Sequence, residues 1–137
     1  MLKKILLIAT AALIITGCSD NKAQEKTLLN EVIKIHDKVM VDDGVVMQNK
    51  TKLKALTTNN PTPGVKDSVE MYSKLLNNAD DTMMTWMNKF NPDFTGKSHD
   101  EVMDYLTKQK AQIIKINAQL DTAISASNVY ISKNKTK

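Results

Sequence analysis

The stretch SHDEVMDYLTKQKAQIIKINAQLDTAISASNVYISK, residues 98–133, decides the fold class. Along it, Val102, Leu106, Gln109, Ile113, Ile116, Leu120, Ala123, Ser127 and Tyr130 are separated alternately by four and three residues. That alternation follows one face of an α-helix, whereas a half-buried strand would alternate every second residue. Ser98 and Glu101 stand three apart in the form of a capping box, so the pattern predicts a helix from about His99 to Lys133. Gln109 and Ser127 are polar breaks in an otherwise apolar line.

The segment before it repeats the pattern through Val65, Val69, Tyr72, Leu76, Ala79, Met83, Trp86 and Phe90. Thr62-Pro63 suits an N-cap and first helical position, and Asn91-Pro92 suits an end, because the residue before a proline is pushed out of the helical region. The first segment, about Glu25 to Leu56, carries two neighbouring stripes: Leu28, Val32, Ile35, Val39, Val46 and Leu53, and beside them Leu29, Ile33, His36, Met40 and Met47. Gly44 is a weak point there, costing about 1 kcal/mol relative to alanine in a helix interior. The connections 57–64 and 91–97 are short and hold all three prolines, so consecutive helices should pack antiparallel. The expected fold is all-α, an up-down-up antiparallel three-helix bundle over residues 25–133, with a frayed tail at 134–137.

The start of the chain belongs to a different kind of segment. Lys3 and Lys4 precede an apolar run from Ile5 to Ile15, interrupted only by Thr10, and Thr16-Gly17-Cys18 follows. A basic start, about a dozen apolar residues and small residues before a cut have the layout of a secretory signal peptide, and the run is short for a membrane span. Ile15-Thr16-Gly17-Cys18 resembles a bacterial lipobox, in which the cysteine thiol takes a diacylglycerol and cleavage before it frees an amine for a further acyl chain. Several chains on one residue hold a membrane stably, at about 0.8 kcal/mol per buried methylene. The expected organisation is therefore a cleaved signal peptide at 1–17, a lipidated Cys18 and flexible tether at 18–24, and the bundle after it. Ser19, in place of the aspartate that favours inner-membrane retention, points toward the outer membrane.

Cleavage removes 17 of the 137 residues, leaves 120, and takes Lys3 and Lys4 with it, so the formal charge falls from +4 to +2. A balance this near zero argues against nucleic-acid binding. Cys18 is the only cysteine, which excludes an internal disulfide or an all-cysteine metal site.

The catalytic inventory is thin. There is no arginine, and the histidines are His36 and His99 alone. No His-Glu-x-x-His, Gly-x-Ser-x-Gly or P-loop pattern occurs. His99 reads as a solvated helix start. Asp42-Asp43 and Asp80-Asp81 are adjacent pairs pointing about 100° apart on a helix, which reads as solvated surface rather than a facing acid and base.

One constellation stands out. Folding the first two helices into a hairpin over residues 57–64 sets His36 opposite Trp86, and the same construction over the second loop sets Trp86 beside Met103. That layer gathers His36, Met40, Met83, Met84, Trp86 and Met87. Two readings stay open: a packed Met-Trp layer with a hydrogen-bonded His36, or a soft-metal site for Cu(I), or for haem, using His36, Met40, Met83 and Met87.

His36-Asp37-Lys38-Val39-Met40, the run Asp81-Thr82-Met83-Met84-Thr85-Trp86-Met87-Asn88-Lys89-Phe90, and Tyr105-Leu106 resemble a group of small bacterial lipoproteins labelled "viral A-type inclusion protein". In that group a lipobox precedes a helix with a His-acid-x-x-Met motif, then an acid-x-Met-Met-x-Trp-Met-x-x-Phe motif. A proline often follows the first motif's methionine, where this chain has Val41. The resemblance implies a lipid-anchored envelope location and these segment boundaries, and no catalytic residue. The expectation is a non-enzymatic helical bundle held to the membrane by its lipid, with a structural or interaction role. Ile33, Val45, Leu75, Ile114 and Ile131 flank the main stripes, where a protein partner or a second copy would cover them.

Overall fold

A computed structural model describes residues 16–58 and 60–134. Three helices make up the fold: α1 over Thr16–Ala55, α2 over Pro63–Lys89 and α3 over His99–Lys133. The signal segment expected over 1–17 falls outside the described residues apart from its last two, whose backbone belongs to α1, and the side chain of Cys18 is likewise outside them. Residues 135–137 of the expected tail are also outside. Among the described residues no helix is long and apolar enough to cross a membrane.

The ends form as their sequences direct. Ser98 Oγ accepts from the Glu101 N–H at 3.3 Å and Glu101 Oε2 accepts from the Ser98 N–H at 2.8 Å, which is the reciprocal capping box. The N-cap of α2 is Thr62, extended in backbone, with Pro63 in the first turn. At the other end the Phe90 N–H closes on the Trp86 carbonyl at 2.9 Å, and the chain then turns extended ahead of Pro92. Gly96, with φ of 77°, occupies the left-handed region in the second connection.

The bundle is up-down-up. Contacts between α1 and α3 hold one offset of 79 residues, in Glu31–Lys110, Lys38–Asn117 and Asn49–Asn128, so these two helices run parallel. α2 runs against both, as His36 meets Trp86 while Lys50 meets Asp80. On α1 the innermost residues Val32, Val39, Val46 and Leu53 are all fully buried and each stands seven after the last. A strict seven-residue repeat is kept on one seam by left-handed supercoiling. α2 supplies Val69, Leu76, Ala79, Met83 and Trp86 to the same core, and α3 supplies Val102, Leu106, Ile113, Ile116, Leu120, Ala123 and Ile131. Each fully buried Val, Leu or Ile contributes about 1.5–3 kcal/mol.

Four expectations change. Residues 18–24 are helical, continuous with the rest of α1, instead of a flexible tether. The physical reason is a partner: Glu25, buried in the first heptad position before Val32, accepts from Lys22 at 2.8 Å and lies 3.0 Å from His99 Nδ1 on α3. His99 is accordingly a bridging residue and not a solvated helix start. The third change concerns register. Phe94 in the second connection packs edge-on to Tyr105 at 6.0 Å, and Phe90 stacks on the same ring at 6.2 Å. The loop thus fills the space beside the first turns of α3, so Trp86 faces Gln109, Gln112 and Ile116, while Met103 turns toward Leu28 and Thr27 of α1. Finally, of the flanking apolar residues, Ile131 is buried in the core and Leu75 packs against it, whereas Ile33 and Ile114 are exposed. α1 runs unbroken through Gly44.

Candidate functional site

The hairpin of α1 and α2 brings His36 onto Trp86, with ring centroids 6.2 Å apart and planes inclined at 36°. Heptad geometry accounts for the meeting: His36 sits on the second stripe of α1, and Trp86 on the core stripe of α2. Trp86 in turn stacks on Phe90 at 4.9 Å. His36 Nδ1 lies 3.1 Å from Asp37 Oδ1, a pairing that orients the ring and leaves Nε2 uncommitted. The methionines divide by depth: Met83 is in the core, Met87 is half-buried against it, and Met40 and Met84 are exposed. His36, Trp86 and Met87 thus share the α1–α2 side of the bundle, with Met40 one turn beyond His36. Among the described residues, no group of three or more His, Cys, Asp or Glu side chains is arranged to hold a metal ion.

A second cluster was not legible as a pair in the sequence. Seven residues further along α1 than His36 and six residues back along α2 from Trp86 stand Asp43 and Asp80, whose carboxyl groups come within hydrogen-bonding reach. Burial pushes the Asp43 carboxyl above its ordinary range, the Asp80 charge and hydrogen bond push it the same way, and Lys50 opposes them. Lys50 Nζ is 3.7 Å from Asp80 Oδ2. In sequence each acid is only the neighbour of another aspartate; the hairpin register, extended by two turns from the His36–Trp86 level, pairs Asp43 with Asp80 across helices.

Polar groups also mark the α1–α3 seam at this height. Lys38 Nζ bonds Asp42 Oδ2 at 2.7 Å, Asn117 Oδ1 at 2.8 Å and Asp121 Oδ1 at 3.1 Å, and the two carboxylates raise its pKa, Asp42 more than Asp121. Three turns on from Lys38, buried Asn49 donates to Ser127 Oγ and Asn128 Oδ1, each at 2.9 Å. Ser127, a polar break in the α3 stripe, is therefore satisfied locally. The Lys38–Asp121 and Asn49–Ser127 contacts tie α1 to α3.

No family model matches the chain, and neither does any curated protein or solved structure.

Proposed function

We propose that this chain is a bacterial envelope lipoprotein, anchored through acyl chains on Cys18, whose helical bundle has a non-enzymatic structural or interaction role. The anchor rests on the lipobox and, with Ser19 after it, favours the outer membrane. The interaction role is supported by one feature of α1. Ile33, Met40 and Met47, seven residues apart, are exposed along one line of the helix, with Val41 beside them. Gly44 lies within that line, where an added Cβ would meet nothing within 4 Å, so no contact inside the bundle accounts for a glycine. A glycine notch between exposed apolar side chains lets a further helix approach closely.

Fractionation of cells carrying the full chain and Cys18→Ser tests the anchor: the parent partitions to the membrane and carries acyl mass, and the variant does neither. Retention of the variant in the membrane would sink this part of the proposal. Sedimentation of the chain starting at Ser19, compared with Met40→Lys, tests the interaction face; a parent that stays strictly monomeric and captures no partner argues against it.

A second reading, a carrier of Cu(I) or haem using His36, Met40, Met83 and Met87, is favoured by the orientation of His36 by Asp37 beside a methionine-bearing seam. Soft thioethers and an imidazole suit Cu(I). Titration against a Cu(I) competitor decides it: binding unchanged in His36→Ala and Met40→Ala removes this reading.

A further inference from the structure

A groove of about 430 Å3 that also reaches Trp86 runs between α2 and α3. That volume lies within the range of small-molecule sites, roughly 300–1,000 Å3. Its deepest residues are Trp86 and Ile116, each 6% exposed, and its walls include Gln109, Gln112, Lys89 and Lys115. The groove exists because of Gln109. Position 109 belongs to the core stripe between buried Val102 and Ile116, and a glutamine there is only half-buried, at the edge of the groove above Trp86 and Ile116. The other polar break in that stripe, Ser127, is hydrogen-bonded; Gln109 is the break that the fold does not explain.

The lining has one sign of charge. Lys89 and Lys115 contribute two ammonium groups, and no carboxylate lines the groove. Among the described residues neither lysine belongs to an ion pair, as is also true of Lys26, Lys34, Lys66 and Lys97. Lysine stems lie along apolar surface and carry their charge at the rim. The Trp86 indole N–H beneath it is buried and has no acceptor among the described residues. Along α3 the lining extends from Gln109 to Gln119, about 15 Å of helix at 1.5 Å per residue. A lining whose exposed area is mostly carbon, from side-chain stems and methyl groups over Trp86 and Ile116, under a cationic rim matches a single-chain amphiphile with an anionic head.

We propose that this groove binds a free fatty carboxylate, its chain along Trp86 and Ile116 and its carboxylate at the rim lysines. The proposal stands apart from the anchoring and interaction roles, since it uses neither Cys18 nor the outer face of α1.

Trp86 is the only tryptophan in the chain, so its emission reports on the floor directly. Among the described residues every core residue lies between Val32 and Ile131, and Glu25 still meets His99, so a chain starting at Ser19 keeps these contacts. This chain is titrated with bromododecanoate, whose bromine quenches indole on contact, and with the uncharged bromododecanol, both below micelle formation. Saturable quenching is expected, with the carboxylate binding more tightly than the alcohol. Lys89→Ala and Lys115→Ala, both at exposed positions, should each weaken the carboxylate about 3-fold and leave the alcohol unchanged, as suits a partly solvated ion pair. Gln109→Leu, which continues the apolar stripe across the floor, should abolish the quenching. Linear quenching without saturation, equal affinity for acid and alcohol, or lysine variants that bind like the parent would each overturn the proposal, and the lysine variants decide it even if Gln109→Leu misfolds.

Discussion

Asn49 of α1 donates through Nδ2 to the hydroxyl of Ser127 on α3 at 2.9 Å, with both side chains sealed from solvent. This is the one fully buried polar pair among the described residues that joins two helices, and it sits where α1 and α3 run parallel at their constant offset. Among the described residues Asn49 Oδ1 has no partner, so the pair costs stability relative to an apolar filling while it fixes which residue faces which.

Replacing both partners, Asn49→Leu with Ser127→Ala, should leave the unfolding free energy in urea within about 1 kcal/mol of the parent or above it. Leu120→Ala, at a fully buried apolar position, should lose about 2–5 kcal/mol in the same assay. A double variant as damaging as Leu120→Ala would show that the polar pair is a net source of stability.

Asp43 has a carboxyl raised above its ordinary value by burial and by Asp80, so its charged form is the disfavoured one in the folded chain. Between the ordinary and the raised pKa the folded state holds more protons than the unfolded state, and stability falls as pH rises through that window. Asp43→Asn removes the penalty. It should be more stable than the parent at pH 7, by about 0.5 kcal/mol because the site is largely solvated, with the gap closing below the ordinary carboxylate range. Thermal melts of both proteins across pH 3–8 measure this; a gap that widens toward low pH would contradict it.

Glu25 behaves with the opposite sign. Lys22 first, then His99, hold its carboxyl below the usual carboxylate range. Its contribution is present above that range and is lost as pH falls through the lowered value. Glu25→Gln should therefore be less stable than the parent at neutral pH and converge with it in acid. Amide hydrogen exchange should speed up over residues 18–24, because Glu25 and His99 tie that end of α1 to α3; unchanged exchange there would leave the helical start without this explanation.

Gly44→Ala should raise the stability of the isolated bundle by up to about 1 kcal/mol, since the helix is unbroken there and the new methyl enters open space. If the glycine serves close approach of another helix, the same variant associates more weakly than the parent. Stability measured by denaturant and association measured by sedimentation separate the two effects.

Much of the bundle was legible in the sequence because its cues are local. The four-three spacing, the Ser98–Glu101 box and the prolines placed α2 and α3 to within a residue or two, and the hairpin over residues 57–64 placed His36 on Trp86. The candidate site was legible only along that hairpin. Gln109 was visible as a break in a stripe, but nothing in its neighbours said that Trp86 would stand across from it.

Periodicity and capping, which depend on residues within a turn or two of each other, are enough to specify three amphipathic helices and their up-down-up order. What tertiary structure alone decided is how far the helices slide past one another. Phe94 and Phe90 both settle on Tyr105, which advances α3 by roughly six residues relative to α2 and moves Trp86 from Met103 to Gln109. The same packing draws His99 to Glu25 and extends α1 through residues 18–24. Sliding a helix by whole turns keeps an apolar stripe on its seam, so the stripe cannot choose among registers; the aromatic contacts in the loop and the polar pairs between helices make that choice.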